Sequence, residues 1–205
     1  MDNDLIEEIN YEIQLLIKSG FYNKNEILEL IEDEFFEEAI SLEDIENLVS
    51  KNYANLDIPN HDSIDFTKLE NVFNQLTGLN EIIAIHNAGY DLEEGVQDAF
   101  ELFVHMRNNK YSPKGFCFYS FENIEIAIEE ETLSLVFGDF ESDERKALKI
   151  GKTIVGALES NGFSINWDNS LDSPIEIKPF LWKKVYTDKE YSMDGALNTY
   201  LEFHK

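Results

Sequence analysis

Hydrophobic residues recur at helical spacing through the first quarter of the chain. Leu5, Ile6, Ile9, Ile13, Leu16 and Ile17 fall on one face of residues 4–19, and Gly20 supplies a C-terminal stop. A second stripe, Ile27, Leu28, Ile31, Phe35 and Phe36, predicts a helix capped by Asn23 or Asn25. A third helix opens at Ser41, with Asp44 or Glu43 as its capping-box partner, and carries Ile45, Leu48 and Val49. Residues 53–64 are the least patterned and hold Pro59 among several turn formers, so they read as a linker. Asp65 then caps a helix through Phe66, Leu69, Val72, Phe73 and Leu76 that Gly78 ends.

Beyond residue 80 the pattern changes to short apolar runs alternating with longer amphipathic ones. Strand 82–86 leads to helix 91–108, with Val96, Ala99, Phe100, Phe103, Val104 and Met106 inward. Strand 115–120 leads to helix 121–130, strand 132–137 to helix 143–160, and strands 163–167 and 175–184 follow before a last helix from Ser192. Helix-length connections favour parallel neighbours, whereas a loop connection favours an antiparallel pair. The expected fold class is therefore α/β (or α+β). It has a mixed, partly parallel sheet, with 82–86, 116–119 and 132–137 parallel and the last two strands antiparallel. The expected domains are a helical segment over 1–60 and a mixed-sheet domain over 61–205. The first is expected to dock on the second, because Phe35, Phe36, Phe66 and Phe73 need more cover than four short helices provide.

Composition narrows the classes. At 205 residues and 43% hydrophobic content the chain has enough apolar material for a substantial core, which excludes a disordered chain. The 16 basic and 42 acidic residues give a formal charge of −26. Such a surface repels phosphate backbones and anionic lipid, so neither nucleic acid nor a membrane is an expected partner. Residues 1–80 carry 19 acidic and 4 basic side chains, making the front the more lopsided part; plain solubility, bound cations or a basic protein partner each account for this. Cys117 is the single cysteine and lies in an apolar run, the pattern of a core thiol. The acidic start and the lack of a long apolar run point to a cytoplasmic protein of unspecified oligomeric state.

Candidate chemistry gathers at residues 81–95, where an apolar strand runs into His86-Asn87-Ala88-Gly89-Tyr90 and a helix opens at Asp91. The C-terminal end of a strand just before a helix N-terminus is where α/β domains place reactive and ligand-binding groups. His86 is the first candidate acid or base, because imidazole titrates near neutrality, and Asp91 is its candidate partner. Asn87, Gly89 and Tyr90 are candidate ligand-binding residues, joined by Trp167 and Asp168 should strand order bring the two rims together. Glu94, Asp98, Glu101 and His105 share a helix face without a metal-binding motif, and the four histidines lack metal-site spacing, so no metal is assigned. Gly151-Lys152-Thr153 lacks the glycine a phosphate loop needs at 146, which is Lys146, and falls inside a helix. Gly151 and Gly156 read instead as places where that helix packs closely, with Lys146, Lys149 and Lys152 on its outer face. No cofactor is implied.

The residues HNAGYD (86–91), GFCFYS (115–120), LSLVFG (133–138), the helix with Gly151 and Gly156, WDNS (167–170) and PFLWKK (179–184) together resemble an uncharacterised bacterial α/β domain family. The similarity spans roughly residues 80–185 and implies a domain without a mechanism. The family pattern has Trp-Asp-Gly and a following basic residue, whereas this chain has Asn169 and no Arg between Asp168 and Ile175. Two functions stand as expectations, with enzymatic activity left open. The first is an acidic accessory or interaction protein, inhibitor-like or immunity-like. The alternative is a small hydrolase or ligand-binding domain with its site at His86–Asp91.

Overall fold

The computed structural model describes residues 3–38 and 40–204. The chain divides into two compact units, residues 1–63 with 183–188, and residues 64–182 with 189–205.

The first unit is helical. α1 (Asn3–Ser19) buries Ile9, Ile13, Leu16 and Ile17, the predicted stripe, and ends at Gly20, whose φ of 73° suits glycine. α2 (Lys24–Glu34) opens on Asn23, whose side chain accepts from the Asn25 and Glu26 amides while Glu26 returns a bond to the Asn23 amide. α3 (Leu42–Asn55) opens on Ser41, which accepts from the Asp44 amide. The expected stripe of α2 stops one residue short. Helical geometry ends at Glu34, so Phe35 turns inward while Phe36 is 82% exposed. Between α1 and α3, buried Asn52 accepts from Gln14 and donates to Asn10, which satisfies its amide where a leucine would be usual. The segment 183–188 completes the unit.

The second unit is a five-stranded sheet with helices on both faces. Its elements are α4 (Ile64–Asn80), β1 (Ile82–Ile85), α5 (Leu92–Asn108), β2 (Gly115–Phe118), α6 (Phe121–Glu130), β3 (Leu133–Gly138), α7 (Glu144–Ser160), β4 (Ile165–Asn166), β5 (Ile175–Ile177) and α8 (Met193–Phe203). Strand order is β1-β2-β3-β5-β4. Ile83, Ile85, Phe116 and Phe118 face α5 and α8, joining Ala99, Leu102, Met106 and Tyr200 in one core. The opposite face meets α4 through Phe73, which packs on Tyr119, and meets α7 through Gly151, where a Cβ would lie 2.7 Å from the Phe137 ring. Cover on both sides explains why β1 and β2 are buried at every position.

Among the described residues, only β1 and β2 pair in parallel. β3 runs antiparallel to β2, against the expectation of three parallel strands, and β4 and β5 pair antiparallel as expected. The register gives the reason. Phe118 faces Val136, so β3 begins three residues beyond the end of β2, about 10 Å at the rise of a strand. α6 therefore carries the chain onward past the end of β2 instead of back along it. Glu131, at φ 52°, then turns it into β3.

Other departures are local. Gly78 lies inside α4, which runs on to Asn80, and it packs against the Phe203 ring instead of ending the helix. Asp65 does not cap α4; its carboxylate accepts from the Leu181 amide. The inward face of α5 is Gly95, Ala99, Leu102 and Met106, which leaves Phe100 and Val104 exposed. The expected strand 175–184 stops at Ile177, since Pro179 has no N–H for the ladder. Gly156 has no neighbour within 4 Å of a Cβ, so close packing explains Gly151 alone.

Candidate functional site

β1 delivers His86 to its C-terminal end, where the imidazole Nδ1 lies 2.8 Å from the Tyr119 hydroxyl at the end of β2. Rings surround the pair: Phe73 at 4.4 Å, Tyr191 edge-on at 5.4 Å and Phe66 at 6.0 Å from the imidazole. Tyr191 donates to Glu70, 2.9 Å away, and Lys189 reaches the same carboxylate oxygen at 2.8 Å. Burial, then Tyr191 and Glu70, push the Tyr119 phenol well above its ordinary range, so it stays protonated and available as a donor. The space beside His86 is about 20 Å³. A site of that size holds about one water molecule.

The turn after His86 is stitched to neighbouring backbone. Asn87 and Gly89 both take positive φ, 55° and 59°, which asparagine and glycine accommodate. The Ala88 amide donates to the Tyr119 carbonyl, and the Gly89 and Tyr90 carbonyls accept from the Phe121 and Glu122 amides at the start of α6. Asp91 accepts from the Glu94 amide, and Glu94 accepts from the Tyr90 amide. The Tyr90, Glu94, Phe121 and Glu122 amides at these two helix starts are thus engaged by the chain itself. Asp98, on the same helix, has its carboxyl pushed above the usual range by burial, against a hydrogen bond from the Gly89 backbone.

Trp167 and Asp168 follow β4, which forms the sheet edge opposite β1. The Trp167 ring meets Phe137 edge-on, and its indole N–H donates to the Ser170 carbonyl. Asp168 accepts from the Ser173 hydroxyl and the Ser170 amide, which hold its carboxyl below the usual range. Asn169 sits at φ 63°, a conformation asparagine tolerates better than most residues. The two rims therefore do not converge through Trp167. The following loop, Leu171–Pro174, does border a groove of about 300 Å³ with Leu92 and Ser120.

A larger cavity, about 620 Å³, opens at the other end of the parallel strands, where β1 and β2 begin and β3 ends. Arg107, Lys114, Lys146 and Lys149 line it, with Phe103 and Phe140 on its wall. Sequence reasoning passed over it because these cations come from α5, a loop and α7. The available signal was density: seven of the chain's sixteen basic residues lie between 107 and 152. Among the described residues, no three His, Cys, Asp or Glu side chains are grouped to hold a metal ion, and no helix is long and apolar enough to cross a membrane.

These features define a mixed α/β protein with helices ahead of its sheet. The chain belongs to the family described as "Domain of unknown function (DUF6891)", whose model matches residues 2–186 and so takes in the front helices as well as the sheet. Comparison with curated proteins and with solved structures found no match.

Proposed function

We propose that the protein is an acidic interaction module that engages a basic partner through its helical unit. The observation that carries this reading is Phe36, which is 82% exposed in the turn after α2. Leu30 and Leu42 are exposed on the same stretch of chain, and Glu29, Glu32, Asp33, Glu34, Glu37, Glu38 and Glu43 surround them in sequence with exposed carboxylates. An apolar anchor ringed by one sign of charge suits a partner with an apolar residue inside a basic rim. The charge would steer encounter and the aromatic would supply the anchor. An inhibitor or immunity-like role is one form such a module takes.

The reading is tested by affinity capture at low and high salt with the wild type and with Phe36→Ser and Glu37→Lys/Glu38→Lys variants. The expected result is a basic protein retained by the wild type, released by salt and lost from both variants. Recovery of no basic protein, or equal retention by the variants, would overturn it. The alternative, a hydrolase or ligand site on the 86–91 rim, is supported by the His86–Tyr119 contact, but the space of about 20 Å³ there leaves little room for a substrate.

A further inference from the structure

Four of sixteen cationic side chains converge on one opening in a protein of charge −26, where carboxylates outnumber them elsewhere. The opening, about 620 Å³, falls within the range of roughly 300–1,000 Å³ typical of small-molecule sites. Lys114 pairs with Glu81, and Lys146 with Glu141, both at exposed positions. Exposed pairs of this kind are weak and exchange readily for a better anion. The Arg107 guanidinium lies 5.6 Å from the centre of the Phe103 ring, and Lys149 is exposed one helical turn beyond Lys146. Asp139, the buried carboxylate of the lining, is turned into its own loop, accepting from the Glu141 and Asp143 amides at 2.9 and 3.0 Å. Its negative charge is thereby partly compensated by backbone donors.

The wall has its own chemistry. Phe103 and Phe140 stack with centroids 4.0 Å apart and an interplanar angle of 8°, with Ile82 and Ile150 beside them. A ligand bound here meets cations beside an apolar wall, the Arg107 guanidinium lying over the Phe103 ring itself. A carboxylate offers two oxygens, whereas a phosphate offers three to a guanidinium fork and to lysine point charges together. Long nucleic acid is disfavoured by the surrounding negative surface, while a small anion can enter a local positive cavity.

We propose that this cavity binds a small organic phosphate, its phosphate held by Arg107, Lys146 and Lys149 and its planar or apolar body against Phe103 and Phe140. The site lies wholly in the sheet unit and stands independently of the partner surface around Phe36.

Calorimetric titration of the full chain in magnesium-free buffer at low ionic strength tests it, with ATP, pyrophosphate and adenosine as probes. ATP should bind, pyrophosphate should compete with it, and adenosine should bind more weakly. The Arg107→Gln/Lys149→Gln double variant should lose about tenfold or more in ATP affinity, the loss expected when charged hydrogen-bond donors are removed. A Lys51→Gln control, at an exposed site on α3, should leave it unchanged. No binding of ATP, no competition by pyrophosphate, adenosine matching ATP, or unchanged affinity in the double variant would each overturn the assignment. Circular dichroism of the double variant, expected to match the wild type, separates lost binding from lost folding.

Discussion

The Lys184 ammonium donates to the Gly20 carbonyl across 2.7 Å, although 164 residues separate them in the chain. Lys184 is 2% exposed, lies 4.6 Å from the centre of the Phe21 ring and also reaches the Val185 carbonyl. A cation at the end of α1 answers the partial negative charge of the helix terminus, and the segment carrying it closes the helical unit. Gly20 is held by the same contact, since a Cβ there would overlap the Lys184 carbonyl while φ is already positive.

Lys184→Met should therefore destabilise the fold by about 1–3 kcal/mol, the usual cost of removing one partner from a buried charged hydrogen bond. Gly20→Ala should also destabilise, through overlap and backbone strain. Urea denaturation followed by circular dichroism measures both. A Lys184→Met variant as stable as wild type would show that the contact contributes nothing.

Asp91 gives a cleaner separation of structure from chemistry. If it serves as the cap of α5, Asp91→Asn should be tolerated, because asparagine also accepts from the Glu94 amide, whereas Asp91→Ala should cost about 0.5–2 kcal/mol. Thermal melts of the two variants decide the matter. Equal losses in both would point to a need for the carboxylate charge.

Cys117 should be inert in the folded protein. Its thiol is fully buried, and burial pushes its ionisation far above the ordinary range, so little thiolate is present to react. Labelling with a disulfide reagent should be slow in buffer and fast in denaturant; rapid labelling of the native chain would contradict the burial.

Glu34 predicts a pH effect with a definite sign. Partial desolvation of this otherwise exposed carboxyl, then the nearby Glu8 carboxylate, raise its folded pKa, so the folded state holds this proton more tightly than the unfolded state. Stability contributed at this site falls as pH rises through that window, and the penalty is complete above it. Glu34→Gln should be more stable than wild type at neutral pH, with the advantage disappearing below about pH 4.3, the ordinary glutamate value. A constant difference across the range would exclude Glu34 as its source.

Much of the fold was legible because single elements carried their own signals. The four apolar residues of β1, the Asn23 and Ser41 caps and the stripe of α1 were all local, and local patterns survive into structure. The direction of β3 was not, since a ten-residue helix between strands has the same periodicity whether it returns or runs onward. Phe36 was misplaced for a related reason: its helical spacing continues past the point where the helix stops. At the candidate sites, sequence located the 86–91 turn correctly at a strand end. It did not convey that Tyr119 and three other rings close over His86, because those contacts come from α4, β2 and the chain before α8. The cationic cavity was hidden in the same way, its cations being distributed over α5, the loop before β2 and α7.

The split composition of the helical unit also sets an order of events during synthesis. Its helices leave the ribosome before the sheet unit, yet the segment that completes them, residues 183–188, is finished only 125 residues after residue 63. At about 5–20 residues per second that interval is on the order of ten seconds. The helices must therefore wait for a segment made after the whole of residues 64–182, and a ribosome stalled within the sheet unit would leave them with Gly20 exposed and the Lys184 contact unmade.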